Sequence, residues 1–99
     1  MVVVKDGVAG SWGSDGNRIV HQPSLPVRTV DPVGAGDAFA AGFLSQLLDG
    51  GDLGAALLGG AAVAACSVQV AGDIGGLPTR PQRDRMIAAY RGERADVVR

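Results

Sequence analysis

The stretch DPVGAGDAFAAGFL, residues 31–44, constrains this 99-residue chain more than any other part of its sequence. A glycine-rich loop leads directly into small and apolar residues typical of a helix, and Asp37 lies at the junction. Backbone N–H groups in the first turn of a helix have no intrahelical partner, and the helix dipole adds partial positive charge there. Because Gly34 and Gly36 have no side chain, the backbone can approach an anion closely. The stretch therefore predicts an anion-binding loop with a carboxylate at its edge.

An anion-binding loop beside a carboxylate suits phosphoryl transfer. The loop can hold a phosphate while the carboxylate takes a proton from the attacking hydroxyl group. The simpler alternatives are a plain turn and a helix-terminal acid, which the dipole stabilises by about 0.3–1 kcal/mol. Two other glycine-loop sites are excluded. No Gly-Lys-Ser/Thr follows, as a P-loop requires, and Phe39 stands where a dinucleotide-binding loop has its third Gly or Ala.

The composition indicates one small packed domain. The chain is rich in Ala, Val, Leu and Gly, and its net charge is −1. Its basic residues are scattered until the C-terminal end, so no nucleic-acid partner is expected. Neither a signal peptide nor a membrane span is visible, which predicts a cytoplasmic location and no membrane partner. Cys66 is the single cysteine and is expected to be a buried small apolar residue.

Strands are predicted before helices along the chain. The extended segments are predicted at residues 1–4 (buried), 8–12, 18–22 and, as an edge, 27–30. The helices are predicted at about 36–48, 53–70 with Asp52 as N-cap, and 80–90 with a capping box from Thr79 to Gln82, an end at Gly92 and a frayed tail after it. Glycines in the middle of the second helix predict that another helix or a flat ligand packs closely there. This order favours one edge of a larger α/β sandwich over a self-contained fold.

The run from Asp31 to Leu44 resembles the second signature of the ribokinase-like (PfkB) carbohydrate kinases at every position. The resemblance extends from the opening VVVKDGVAG to the GLPTR stretch near the end, so it covers nearly the whole chain. It implies an α/β fold that is part of a ribokinase-like three-layer sandwich. Residues 1–99 resemble the C-terminal third of these kinases, the nucleotide-binding and catalytic-base portion, without the N-terminal sugar-binding part and its lid.

The resemblance implies a role for each residue of this signature. Asp37 would be the base that deprotonates the accepting sugar hydroxyl. Asp31 and a carbonyl near Val33 would hold a monovalent cation such as K⁺, and a simple Asp-Pro turn is the alternative for Asp31. The anion hole would be formed by the backbone N–H groups of Gly34, Ala35 and Gly36.

The resemblance also implies a nucleotide site. Lys5 and Gly7 match the place where relatives contact the nucleotide phosphates and ribose. Gly60 and Ala61 match a helix that faces adenine, although Gly60 lacks the amide that relatives often carry there. Gly72 belongs to the loop that closes the pocket. Its Gly-Asp-x-x-Gly-x-Pro spacing is most similar to 2-keto-3-deoxygluconate kinases.

The expected activity is ATP- and Mg²⁺-dependent phosphorylation of a hydroxyl on a small sugar or sugar acid, with K⁺ as a further cofactor in some relatives. A sugar of the ribose or fructose type remains an alternative substrate. A non-catalytic, truncated nucleotide-binding chain remains an alternative function. His21, the only histidine, is not expected to bind a metal, and Trp12 is expected in the core or at a sheet edge.

Overall fold

The computed structural model describes residues 1–30, 33–69 and 77–98, and not the side chains at residues 8 and 93–98. An antiparallel three-stranded sheet in the order β1-β2-β3 packs against helices. The strands are β1 (Val2–Lys5), β2 (Ser11–Ser14) and β3 (Ile19–Gln22). The helices are α1 (Ala35–Leu48), α2 (Leu53–Val68) and α3 (Arg80–Val98), and a single 3₁₀ turn spans Gly7–Ala9.

The predicted strand at 8–12 begins later than expected. A tight connection closes between Asp6 and Gly10, whose N–H and C=O groups are joined at 2.9 Å, and the extended backbone resumes only at Ser11. Gly10 has a φ of +98° and a Cβ there would collide with the Gln22 carbonyl oxygen, so this position requires glycine. The tight connection fixes the register, in which Lys5 lies opposite Ser11 and Ser11 lies opposite Gln22.

Two further strand predictions are wrong. Residues 27–30 form no strand, and at the end of this segment the Val30 N–H donates to the Val68 carbonyl of α2 at 2.6 Å. The first strand is not buried, since Val2 and Val4 are exposed and Val3 alone in the valine run is half-buried. Side chains alternate between the two faces of a strand, and only the face with Val3 is covered by helices in the described residues.

The helices begin close to the residues predicted from the sequence. Gly34 precedes α1 in the left-handed conformation, with a φ of +82°. Asp52 caps α2 by accepting from the Ala55 N–H at 2.9 Å. The capping box of α3 forms in both directions, with Thr79 N–H donating to Gln82 Oε1 at 2.8 Å and Gln82 N–H donating to Thr79 Oγ1 at 3.3 Å.

The helix ends agree less well. α2 ends at Val68, two residues before the predicted end. α3 does not stop at Gly92 but continues to Val98, so the predicted end of this helix is wrong. The predicted fraying of the tail stays a prediction. A glycine inside a helix costs only about 1 kcal/mol relative to alanine, which does not suffice to end it.

Glycines bring α1 and α2 into close contact, as the middle of α2 predicted. A Cβ on Gly42 would collide with the Gly59 carbonyl oxygen and lie 2.7 Å from Val63 Cγ2. A Cβ on Gly60 would lie 2.8 Å from the Phe39 ring. The neighbour that requires small residues here is thus a second helix.

Two apolar clusters form the core. One joins the sheet to α1 and the start of α2, and consists of Phe39, Phe43, Leu53, Ala56 and Leu57, with Val3 and Val20 packed against it. The other joins α2 to α3 and the segment before α1, and consists of Leu25, Leu58, Ala61, Ala62, Ala65 and Ile87. Among the described residues, no helix is both long and apolar enough to cross a membrane.

Arg83 attaches α3 to the end of α1. It is 5% exposed, and its guanidinium donates to Ser45 Oγ and, at 3.3 Å, to Asp49. Burial disfavours the charged form of Arg83, but the hydrogen bonds and attraction of Asp84 and Asp49 together outweigh it and raise the pKa of Arg83. On the same helix, Met86 lies 3.6 Å from the sulfur of half-buried Cys66, and burial raises the pKa of that thiol.

Candidate functional site

The start of α1 has backbone N–H groups that precede the intrahelical hydrogen bonds, as the sequence predicts. The first intrahelical hydrogen bond is donated by the Ala38 N–H to the Gly34 carbonyl at 2.9 Å. The N–H groups of Ala35, Gly36 and Asp37 therefore precede the intrahelical ladder. With the positive end of the helix dipole, these groups favour an anion at this point.

Lys5 reaches this helix start from the sheet. Its ammonium group donates to the Gly36 carbonyl at 3.2 Å and lies 5.9 Å from the centre of the Phe39 ring. An ammonium and the N-terminus of a helix are both positive, so an anion bound beside them would be attracted by both. The sheet thus brings one predicted phosphate-binding residue to the predicted anion hole, 31 positions further along the chain.

A cavity of about 570 Å³ opens beside Lys5 and the start of α1. Ala61, Ala64, Ala65 and Val68 line one wall, spaced so that they lie on one face of α2. The cavity is also lined by residues of the sheet, of the glycine turn and of the start of α1, namely Lys5, Gly7, Ser11, Ala35 and Gly36. The volume is in the range of small-molecule sites, which combine an apolar wall with a few polar groups.

The remaining predicted residues lie around this cavity or outside the described residues. Asp37 is exposed in the first turn of α1, directly after Gly36, and does not line the cavity. Gly60 is buried against the Phe39 ring, next to Ala61, which does line it. Val33 is exposed just before α1. Asp31 and Gly72 fall outside the described residues.

Sequence reasoning missed the contribution of the segment before α1. Ser24, Leu25, Val27 and Thr29 line the cavity, in a stretch predicted only as a connection and an edge strand. Ser24 Oγ also donates to the Gly7 carbonyl at 2.9 Å, which ties this segment to the glycine turn. Two prolines, Pro23 and Pro26, were the available signal, because they favour an extended backbone that makes no sheet hydrogen bonds.

The row Lys5–Ser11–Gln22, which crosses the three strands, was not recognised in the sequence either. All three residues line the cavity. Ser11 is 2% exposed, and its hydroxyl has no hydrogen-bond partner among the described residues.

Comparison with known proteins shows which family this chain resembles. Residues 1–80 match the model of the pfkB family carbohydrate kinases. The chain is 47% identical over 91 residues to a 2-dehydro-3-deoxygluconokinase of Bacillus subtilis, covering 91% of this chain and 28% of the relative, and 39% identical to a Bacillus subtilis ribokinase, covering 86% and 29%. The chain therefore spans under a third of the length of these relatives.

The same fold is found among solved structures. The nucleoside kinase of Methanocaldococcus jannaschii, an archaeal member of the ribokinase family, superimposes with a TM-score of 0.85 and 33% identity, over 88% of this chain and 29% of that one. The predicted α/β fold, part of a ribokinase-like sandwich, is confirmed, and so is the resemblance to 2-keto-3-deoxygluconate kinases, since 2-dehydro is another name for 2-keto.

Proposed function

The chain belongs to the PfkB family of carbohydrate kinases, and from that premise we propose that it supplies the nucleotide-binding and phosphoryl-transfer portion of an ATP-dependent kinase. The acceptor would be a hydroxyl group of a small sugar or sugar acid. The observation that carries the proposal is the position of the Lys5 ammonium, 3.2 Å from the Gly36 carbonyl at the start of α1 and at the wall of the cavity. Residues 1–99 would form this portion, and the sugar-binding part and lid would lie outside it.

Each group at the helix start has a task in this proposal. The N–H groups of Ala35 and Gly36 and the Lys5 ammonium bind the transferring phosphate and stabilise its charge. Gly34 allows the backbone to turn there. Exposed Asp37, one residue further, accepts the proton of the attacking hydroxyl. The face of α2 that includes Ala61 would contact the adenine. Gly60, the neighbour of Ala61, would allow α2 to approach closely, and Gly72 would belong to the loop that closes the nucleotide pocket.

Metal ions in this proposal would be bound mainly by the nucleotide phosphates and by few protein side chains. Among the described residues, no three His, Cys, Asp or Glu side chains are grouped to hold an ion. Mg²⁺, when bound, neutralises phosphate charge and is commonly held through the phosphates with few protein ligands, which this donor set fits. A K⁺ ion held by Asp31 and the carbonyl of Val33 is a separate prediction from the sequence.

The substrate proposed first is a keto-deoxy sugar acid, 2-keto-3-deoxygluconate. The 47% identity to the Bacillus subtilis 2-dehydro-3-deoxygluconokinase supports it, and the 39% identity to a ribokinase supports ribose as the rival. A panel of sugars and sugar acids, assayed with ATP and a protein containing the complete fold, distinguishes them. Preference for a neutral pentose or hexose would overturn the sugar-acid proposal and leave the kinase proposal standing.

Calorimetric titration with ATP and Mg²⁺ tests the nucleotide site on the chain itself. We expect weak binding that Lys5→Met reduces by about tenfold or more, because one direct charge contact to phosphate is lost. Arg18→Met is the matched control, since it also removes one exposed cation but lies in the turn after β2, outside the cavity. Absence of heat with a folded sample, or equal effects of both substitutions, would contradict the proposal.

A nucleotide-binding chain without catalysis, the alternative that the sequence left open, is the second candidate. The two candidates differ in sugar-dependent turnover. The non-catalytic alternative would be favoured if a protein containing the complete fold bound nucleotide but phosphorylated none of the sugars. The cytoplasmic location and the lack of nucleic-acid and membrane partners stay predictions from the sequence.

A further inference from the structure

The Ser11 hydroxyl is buried in the free chain without a hydrogen-bond partner. Ser11 is the first residue of β2 and is 2% exposed, and its Oγ finds no partner among the described residues. Most buried polar side chains in proteins are hydrogen-bonded, because a hydroxyl that is removed from water and left unpaired destabilises the fold. The stability of the free chain therefore gives no reason for a serine at this position in preference to an alanine.

The strand register turns Ser11 toward the cavity. Ser11 lies opposite Lys5 on one side and opposite Gln22 on the other, and all three residues line the cavity. Residues directly opposite each other project to the same face of a sheet, and Lys5 reaches the start of α1, so this face is the one toward the helices. Two residues further along the same face, a Cβ on Gly13 would lie 2.8 Å from Leu53 Cδ1. The inner face of β2 is therefore covered by α2 at Gly13 and borders the cavity at Ser11.

The neighbours of Ser11 are engaged with other groups. The Lys5 ammonium donates to the Gly36 carbonyl at 3.2 Å. Gln22 Nε2 donates to the Pro23 carbonyl at 2.8 Å. The wall of the cavity that α2 forms consists of side chains that neither donate nor accept hydrogen bonds: Ala61, Ala64, Ala65 and Val68. A hydrogen-bond partner for Ser11 is therefore expected from a molecule that occupies the cavity.

We propose, on the basis of the nucleotide site proposed above, that the Ser11 hydroxyl hydrogen-bonds to a ribose hydroxyl of the nucleotide, so that the site prefers a ribonucleotide to its deoxy counterpart. The nucleotide site places Lys5 at the phosphates. Neighbouring strands lie about 4.8 Å apart, so Ser11 is one strand spacing further from the phosphates. The ribose is the group that follows the phosphates in a nucleotide, whereas the adenine is assigned to the apolar wall of α2. Hydroxyl groups both donate and accept, so Ser11 and a ribose hydroxyl satisfy each other.

Calorimetric titration of the chain with ATP, 2′-deoxy-ATP and 3′-deoxy-ATP, each with Mg²⁺, tests the proposal. We expect the wild type to bind one of the two deoxy nucleotides about three- to tenfold more weakly than ATP, the loss typical of one hydrogen bond. Ser11→Ala should lower the affinity for ATP by the same factor and leave the affinity for that deoxy nucleotide unchanged. The effect of the substitution thus depends on the presence of the ribose hydroxyl.

Ser14→Ala is the matched control. It removes a hydroxyl from the other end of the same strand, where Ser14 Oγ accepts from the Gly16 N–H at 3.2 Å and lies outside the residues that line the cavity. We expect all three affinities to stay at their wild-type values. Ser11→Cys is a second variant of similar shape whose sulfur is a weak hydrogen-bonding group, and it should lose the ribose preference as Ser11→Ala does.

Thermal unfolding of the same samples without nucleotide provides an independent readout. Because the Ser11 hydroxyl has no partner in the free chain, Ser11→Ala should raise the melting temperature, by about 4 °C, while it weakens ATP binding. A purely structural serine would show the opposite change in stability. A lower melting temperature for Ser11→Ala would show that the hydroxyl is already satisfied in the free chain and would overturn the proposal.

The outcomes separate this inference from the proposed function. Equal losses for all three nucleotides in Ser11→Ala would assign the contact to the phosphates or the base and overturn the proposal. No loss for any of them would leave an ordered water as the partner and overturn it as well, while the nucleotide site would stand. A folded wild-type chain that binds no ATP would contradict the nucleotide site itself, and the role of Ser11 with it.

Discussion

Replacement of Gly42 by alanine should destabilise the chain, although alanine is the better helix former. The exchange gains about 1 kcal/mol of helix propensity. The new Cβ, however, would collide with the Gly59 carbonyl and lie 2.7 and 2.9 Å from two carbon atoms of Val63. Overpacking of a tight contact typically costs about 1–3 kcal/mol of stability. We expect a cost at the upper end of this range, because the Gly59 carbonyl belongs to the backbone and cannot move away as a side chain can. The expected net change is a loss of about 2 kcal/mol.

Gly92→Ala is the matched control for this prediction. It makes the same exchange inside α3, where a Cβ would meet nothing within 4 Å. Only the propensity gain remains, so we expect about 1 kcal/mol of added stability. For a chain of this size, the two changes correspond to a melting temperature lower by roughly 8–16 °C for Gly42→Ala and higher by roughly 4–8 °C for Gly92→Ala.

Urea and thermal denaturation followed by circular dichroism measure both variants against the wild type. A Gly42→Ala chain as stable as the wild type would refute the close approach of α1 and α2. A destabilised Gly92→Ala chain would instead show that α3 ends near residue 92, as the sequence alone predicted.

Four further predictions concern single side chains. Asp37→Asn in a protein with the complete fold should lower turnover by about 10²–10⁴-fold while ATP affinity measured by calorimetry is kept, because only the proton acceptor is lost; unchanged turnover would refute the catalytic role. Arg83→Met should cost about 1–3 kcal/mol in urea denaturation, less than a fully buried ion pair because Asp49 is partly exposed. Ser67→Ala should add about 1 kcal/mol by the same assay, since the Ser67 hydroxyl is fully buried and has no partner among the described residues. Alkylation of Cys66 should be slower in the folded than in the urea-unfolded chain and should need higher pH, because burial raises the pKa of the thiol and disfavours the reactive thiolate.

The helix starts could be predicted from sequence because their causes are local. Asp52 and the Thr79–Gln82 pair act on backbone groups within three residues, and the structure shows those hydrogen bonds. Gly34 likewise sets the start of α1 through its own backbone conformation. The loop conformation before α1 was predictable for the same reason, since it depends only on glycines and the first turn of a helix, and anion binding there stays a prediction.

What the sequence did not reveal depends on distant contacts. The backbone of Val30 is held by Val68, 38 residues away in the chain, so propensity alone suggested a strand that does not form. The contact of Lys5 with Gly36 depends on the hairpin register and on the packing of α1, neither of which a local pattern contains. The exposure of Val2 and Val4 could not be predicted either, because a valine run has the same pattern whether or not its second face is covered.

The glycine contact between α1 and α2 has a consequence for directed evolution of this chain. The distance between α1, which carries Asp37, and the face of α2 that lines the cavity is set by three glycines, Gly42, Gly59 and Gly60. A larger residue at any of these positions would collide with the facing helix. Libraries that vary these three glycines should therefore return mostly unfolded variants. Variation in a library of this chain is therefore better placed at exposed positions outside the contact between these two helices.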